Sequence, residues 1–124
     1  MLVDTDVIID YLRGEPLAEQ FIESNLDSIA LSSITIGELY QGVIEGEERI
    51  ALDSMTSAFT TLPVTEEIAR EGGLMCRQYR KSHGCGLADC LIAATAKRHE
   101  LPLRSLNAKH FPMIENVSMP YKKT

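Results

Sequence analysis

Apolar positions along this chain change period several times, and each change marks an element. Met1-Leu-Val3 is a short apolar run that reads as a strand. After Asp6, the residues Val7, Ile8, Ile9 and Leu12 recur with a helical period that stops near Gly14. Pro16 suits the first turn of a second helix, with Leu17, Phe21 and Ile22 on its inner face. Ser28 to Ser33 predicts a second strand carrying Ile29 and Leu31. Thr35 opens a helix with Ile36, Leu39, Tyr40 and Val43 on one stripe, and Gly42 and Gly46 weaken its end. Glu47 to Phe59 predicts another helix, and Thr61 to Val64 a short third strand or extended segment. Thr65 and Glu66 open a long helix carrying Ile68, Ala69, Leu74, Met75 and Tyr79, which gives way to a loop at His83-Gly-Cys-Gly86. Leu87 to His99, rich in Ala and Leu, is the strongest helical pattern. Leu101 to Leu103 predicts a fourth strand, and Val117 begins a short fifth.

Strands alternating with helices indicate an α/β fold: a three-layer α/β/α sandwich around a central parallel sheet of four to five strands. With 124 residues the chain is long enough for one domain with one core, and residues 1–124 are read as a single domain. Its apolar stretches are far too short to cross a bilayer. It opens directly on strand-like residues rather than on the basic and apolar segments of a signal peptide. A cytoplasmic protein with no membrane partner is expected. Cys76, Cys85 and Cys90 are odd in number and lack a C-x-x-C pair, which fits reduced thiols. Together with His83 their spacing matches no standard zinc motif, so they read as packing or loop residues.

Charge is unevenly divided. Residues 1–75 carry 15 acidic and 3 basic side chains, a balance of 3 − 15 = −12, whereas residues 76–124 carry 3 acidic and 9 basic ones, a balance of 9 − 3 = +6. An acidic edge beside a basic half could hold cations and a polyanion side by side. A pI near 5.0 argues against tight, nonspecific duplex binding.

Four residues stand where a predicted strand has just ended or in the first turn of a helix: Asp4, Glu38, Asp89 and Asn107. In a parallel sheet these places share one edge, where ligands bind. Converging carboxylates repel one another and are best neutralised by a hard divalent cation with oxygen ligands. Asp6 is the better cap for the first helix, which leaves Asp4 free to point along the sheet edge. Thr35-Ile-Gly-Glu38 has the spacing of a capping box, so structure and function compete for Glu38. Asp89 precedes Ile92, Ala93 and Ala96 on one helical face, where an unpartnered charge is costly. Asn107 alone is most simply a turn residue, and Ser105 adds a hydroxyl nearby. Asp10 and Glu45 read as solvated surface charge. No phosphate-binding glycine loop is present. Asp4-Thr-Asp6-Val resembles the nucleophile motif of haloacid-dehalogenase-type phosphatases, but those continue with Gly in a larger chain.

These residues resemble a PIN domain, specifically a VapC-type toxin of a bacterial toxin–antitoxin pair. The resemblance runs nearly end to end through Leu2-Val-Asp-Thr-Asp-Val-Ile-Ile-Asp-Tyr-Leu12, Ile34-Thr-Ile-Gly-Glu-Leu-Tyr-Gln-Gly42, Gly86-Leu-Ala-Asp-Cys-Leu-Ile-Ala-Ala-Thr-Ala96 and Leu106-Asn-Ala-Lys-His-Phe111. It implies a sheet of five strands and an acidic quartet at Asp4, Glu38, Asp89 and Asn107. Thr5 and Asp6 match positions that support the first carboxylate. Asn107 stands where some relatives have Asp, so it brings less charge to a second metal.

The expected function is that of a metal-dependent endoribonuclease whose activity is toxic until a small antitoxin binds. Mg²⁺ or Mn²⁺ would be held by Asp4 and Asp89, and Glu38 would bind the metal or orient the attacking water. Asn107 and Ser105 would position water or a substrate oxygen. Arg77, Arg80, Lys81, Arg104 and Lys109 are candidates for contacts with the RNA backbone. Leu17, Phe21, Ile22, Leu39, Tyr40, Val43 and Ile44 give two helices more apolar surface than one sheet face covers. A homodimer interface and a groove for an amphipathic antitoxin segment are therefore expected. Operator DNA would be reached only through the antitoxin. The alternatives are a catalytically weak PIN-fold module acting within an antitoxin–DNA complex, and a small phosphatase using Asp4 as nucleophile.

Overall fold

Leu2 and Val3 are both fully buried, and they point in opposite directions. Leu2 joins one apolar cluster and Val3 another, as the period of a strand requires. The computed structural model, which describes residues 1–123, builds both clusters against the faces of one sheet. Its five strands are β1 (Leu2–Val3), β2 (Ala30–Ser32), β3 (Thr60–Leu62), β4 (Leu103–Arg104) and β5 (Val117–Ser118). All pairings are parallel, in the order β3-β2-β1-β4-β5. The helices are α1 (Thr5–Leu12), α2 (Pro16–Ser24), α3 (Ser33–Gly42), α4 (Glu47–Ala58), α5 (Glu66–His83) and α6 (Leu87–Arg98). The α/β sandwich read from the hydrophobic pattern is the fold observed, with five strands.

One face of the sheet is covered by α1, α2 and α4 through Val7, Ile8, Ile22, Leu52 and Met55. The other is covered by α5 and α6 through Ile68, Met75, Cys90, Ile92 and Ala93, with Phe111 closing the end. Helix α3 serves both, since Leu39 packs in the first cluster and Ile34 against the second. Among the described residues no helix is long and apolar enough to cross a membrane.

Several local expectations are revised. Asp4, not Asp6, caps α1: its side chain accepts from Thr5 N. The cap of α3 is Ser32, whose Oγ accepts from Ile34 N at 3.0 Å, so the helix starts before Thr35 and the expected capping box does not form. An extended Ser at the strand end satisfies an orphan amide without needing Glu38. Val43 lies past the end of α3 rather than on its stripe. Strand β4 begins at Leu103, later than expected, because the chain after α6 first turns through His99 and Glu100, the latter at a φ of 54°.

Helix α5 is framed as its ends require. Thr65 accepts from Ile68 N, Glu66 and Glu67 occupy the first turn, and Arg80, Lys81 and His83 the last. The helix extends through His83, where a loop was expected, and stops at Gly84, whose φ of 67° lies in the left-handed region. A Cβ at Gly72 would stand 2.7 Å from Leu91 Cδ2 and 3.2 Å from Leu91 Cα. Glycine there lets α5 lie directly on the backbone of α6. Cys85 and Cys90 are fully buried, Cys76 partly, and all three are free thiols. Burial first, and the two neighbouring thiols second, push the Cys90 thiol up to about 12. A thiol so reluctant to ionise acts as a packing residue.

Candidate active site

Every strand runs parallel, so every strand ends at the same edge. Asp4 follows β1, Ser32 ends β2 and opens the helix that carries Glu38, and Ser105 follows β4. Helix α6 leads into the start of β4, so its own first turn, with Asp89, lies at that same carboxyl edge.

The centre of the arrangement is Asp4, only 6% exposed. Its Oδ1 accepts from Thr5 N at 2.8 Å, and its Oδ2 accepts from Ser105 Oγ at 2.7 Å. The second bond joins residues 101 positions apart and locks β1 to the loop after β4. Thr5 turns its hydroxyl to the neighbouring helix. Its Oγ1 donates to Glu38 Oε1 at 2.6 Å and stands 3.0 Å from Thr35 Oγ1. Glu38 is therefore aimed by the residue after Asp4, not by its own helix start.

Asp6 does something the sequence reading missed. Its Oδ2 accepts from Leu106 N at 3.1 Å and from Asn107 Nδ2 at 3.3 Å, while Ser105 Oγ accepts from Asn107 N at 3.0 Å. Asp6 and Ser105 together fix the loop that presents Asn107. The other oxygen, Asp6 Oδ1, is buried and has no hydrogen-bond partner among the described residues. No spacing rule could have located this contact, because it spans a hundred residues.

The network is electrostatically loaded. Desolvation, and then the neighbouring Asp6, raise the carboxyl of Asp4 from an ordinary 3.8 to about 7, and Asp89 adds to the rise. The bonds from Ser105 and Thr5 only partly oppose this. Burial also raises Asp6. Both shifts express the cost of holding negative charges together away from water.

Asp89 stands at the margin. Its side chain is 33% exposed, and the imidazole of His110 stands beside it, with Nδ1 4.0 Å from Oδ2, too long for a hydrogen bond. The expected burial on an apolar face is thus limited to the residues behind it, Ile92, Ala93 and Ala96. Among the described residues no three His, Cys, Asp or Glu side chains are gathered tightly enough to hold one metal ion. The donor set still suits Mg²⁺ or Mn²⁺. These ions accept one or two carboxylates and keep several waters, and Asp4 and Asp89 offer hard oxygens of the required charge. The unpartnered Asp6 Oδ1 and the raised Asp4 mark a place short of positive charge.

The basic candidates divide. Arg77, Arg80 and Lys81 are exposed near the end of α5, which the short loop through Gly84 and Gly86 joins to the first turn of α6. Lys109 is exposed in a 3₁₀ turn after Asn107. Arg104 instead folds back to donate from Nη1 to Leu103 O at 3.3 Å, and its charge reaches the Met1 ammonium on the opposite edge. Asp10, expected as free surface charge, accepts from Tyr121 Oη at 2.8 Å and pairs with Lys123 Nζ at 2.9 Å, which ties the end of the described chain to α1. Glu45 is exposed and pairs with Arg49. The expected apolar excess is smaller than its composition implied. Ile22 and Leu39 are core residues, and only Leu17 and Ile44 of that set are exposed.

Known proteins resemble the chain along nearly its whole length. A family model described as "PIN domain" matches residues 1–111. The chain is 43% identical over 124 residues to "Ribonuclease VapC19" of Mycobacterium tuberculosis, covering 97% of this chain and 98% of that one. It is 41% identical to "Ribonuclease VapC10" of the same organism, covering 98% of this chain and 92% of that one. A solved "Toxin-antitoxin complex from Klebsiella pneumoniae" superposes with a TM-score of 0.83 at 30% identity, covering 98% of both chains.

Proposed function

The chain belongs to the PIN-domain family and is a VapC-type member of it, and on that premise we propose that it is a metal-dependent endoribonuclease kept in check by a small antitoxin chain. The observation that carries this reading is the buried Asp4 carboxylate. It is held by two donors, crowded by Asp6 and Asp89, and costly to ionise until a cation arrives. Relatives that carry the name ribonuclease over nearly their whole length support the reaction class.

Asp4 and Asp89 would hold Mg²⁺ or Mn²⁺, with Glu38 contributing directly or through water. When bound, the cation supplies charge neutralisation at the scissile phosphate and lowers the pKa of water. The chain itself does the rest. Thr5 fixes Glu38 Oε1, so the carboxylate can orient the attacking water and take its proton. Ser105 holds Asp4 in place, and Asp6 holds Asn107, whose amide oxygen remains for water or a substrate hydroxyl. In-line attack would leave a 5′-phosphate and a 3′-hydroxyl.

Partner binding has its own support. A groove of about 550 Å³ runs between α1, α2 and α4, with Leu12, Met55 and Phe59 on its floor and Glu19 and Glu23 on its rim. Apolar floor and acidic rim suit a basic amphipathic segment. We read this groove as the antitoxin site, the assembly as a homodimer, and contact with operator DNA as made only through the antitoxin. The test is incubation of purified protein with a structured RNA in Mg²⁺ or in a chelator, followed by end analysis. Internal cuts bearing 5′-phosphates, lost in the chelator and lost in Glu38→Gln, are expected. Absence of metal-dependent cuts, or phosphate trapped on Asp4, would overturn the reading.

A further inference from the structure

The acidic part of the chain, residues 1–75, holds three cations, Arg13, Arg49 and Arg70, against 15 carboxylates. Two of them are engaged. Arg49 reaches Glu45 at 2.8 Å and Asp53 at 3.2 Å, and lies over the Tyr40 ring. Arg70 lies 3.8 Å from Glu66. Arg13 has neither an ion pair nor a side-chain hydrogen bond among the described residues. It is not short of carboxylates, because with Ile9, Leu39 and Gly42 it lines a narrow cleft that Glu38 and Glu48 also line. Glu38 is turned toward Thr5, and Glu48 Oε1 accepts from Ile44 N at 3.2 Å. Both acids are thus held elsewhere, and the exposed guanidinium at the end of α1 is left at the mouth of the cleft.

We propose that Arg13 is a substrate-binding residue that takes a phosphate of the RNA backbone next to the one attacked. The proposal rests on the nuclease reading above. A polyanion approaching Glu38 from this side meets a region of net charge −12 and needs a fixed cation to seat against it. A guanidinium is the side chain suited to that task, because its fork matches two phosphate oxygens at once. The cleft measures about 50 Å³, room for a phosphate oxygen or a water but not for a base. Recognition here is of the backbone and is indifferent to sequence. The basic residues at the end of α5 belong to a helix that packs on the other face of the sheet from α1. Arg13 and α5 would therefore grip the strand on either side of the bond to be cut.

The experiment measures RNA binding by fluorescence anisotropy across a salt series, with a short single-stranded RNA and Mg²⁺ held constant. Asp89→Asn serves as the background so that the probe stays intact. Adding Arg13→Gln is expected to weaken binding and to lower the slope of log Kd against log salt by about 0.7, the loss of one phosphate contact. Arg13→Lys restores the slope. Because Arg13 is exposed, the melting temperature stays that of the background. An unchanged slope in Arg13→Gln, in a protein whose wild type cleaves RNA, overturns the assignment of Arg13 and leaves the nuclease reading standing. A wild type that neither binds nor cleaves RNA overturns both.

Discussion

The two carboxylates that would share a cation are built in opposite ways. Asp4 is 6% exposed and is held by donors from α1 and from the loop after β4. Asp89 is 33% exposed, sits on the hairpin of α5 and α6, and has a distant imidazole beside it. One is an anchor fixed by the fold, and the other is an arm with room to adjust. A site divided this way has a preorganised half that defines position and a free half that can close on substrate. The fixed half carries an electrostatic penalty, while the free half stands a third open to water.

The difference is broken most severely by removing the arm. Asp89→Asn should reduce RNA cleavage by about 10³-fold, the loss of several kcal/mol of charge stabilisation. Its melting temperature in a chelator should equal or exceed that of the wild type, because no bond of the network is lost. A variant that melts lower yet still cleaves would make Asp89 structural.

The anchor is exposed by pH. Asp4 has a carboxyl raised from 3.8 to about 7, so the folded state binds more protons than the unfolded state between those values. The stability this confers is fully present below pH 3.8 and is lost as pH rises through about 7. The interval converts to roughly 4 kcal/mol. In a chelator, urea melts of the wild type should therefore weaken from pH 4 to pH 8 relative to Asp4→Asn, which has no such group. Parallel curves would show that Asp4 ionises without strain. A cation should reverse the loss. At a hundred times its Kd, Mg²⁺ should stabilise the wild type by about 2.7 kcal/mol. Asp89→Asn should gain less, and equal gains would place the cation elsewhere.

The smaller effects test the support. Ser105→Ala removes a bond to a buried charged group and should destabilise by about 1.5–3 kcal/mol above pH 7, as read by urea melts. Below pH 5, where Asp4 is protonated, the cost should shrink, and a constant cost would assign Ser105 to packing alone. Arg49→Ala breaks an exposed network on α4 and should change stability by about 0.5 kcal/mol or less.

What was legible in the sequence was whatever depended on period and position. The alternation of strands and helices, the end of β1, and the place of Asp89 in a first turn all follow from local pattern. The caps were misread where two short polar residues competed: Asp4 against Asp6, and Ser32 against Thr35. Both sit close to a helix start, and backbone conformation rather than composition decides between them. The clamp of Asp6 on Asn107, the tie between Asp10 and Tyr121, and the turning of Arg104 toward the opposite edge depend on contacts across the chain. No spacing reports them.

The position of β1 carries a consequence for how such a protein comes into being. The first strand made is the central one, yet its partners are β2 at residue 30 and β4 at residue 103. Asp4 cannot receive the hydroxyl of Ser105 until a hundred further residues have left the ribosome, a delay of roughly 5–20 seconds at ordinary rates of synthesis. Throughout that interval Leu2 and Val3 lack their finished core and the carboxylates lack their frame. A nascent chain thus has no framed site before residue 105 has been made, because the strands on both sides of β1 and the hydroxyl that holds Asp4 all come later in the sequence.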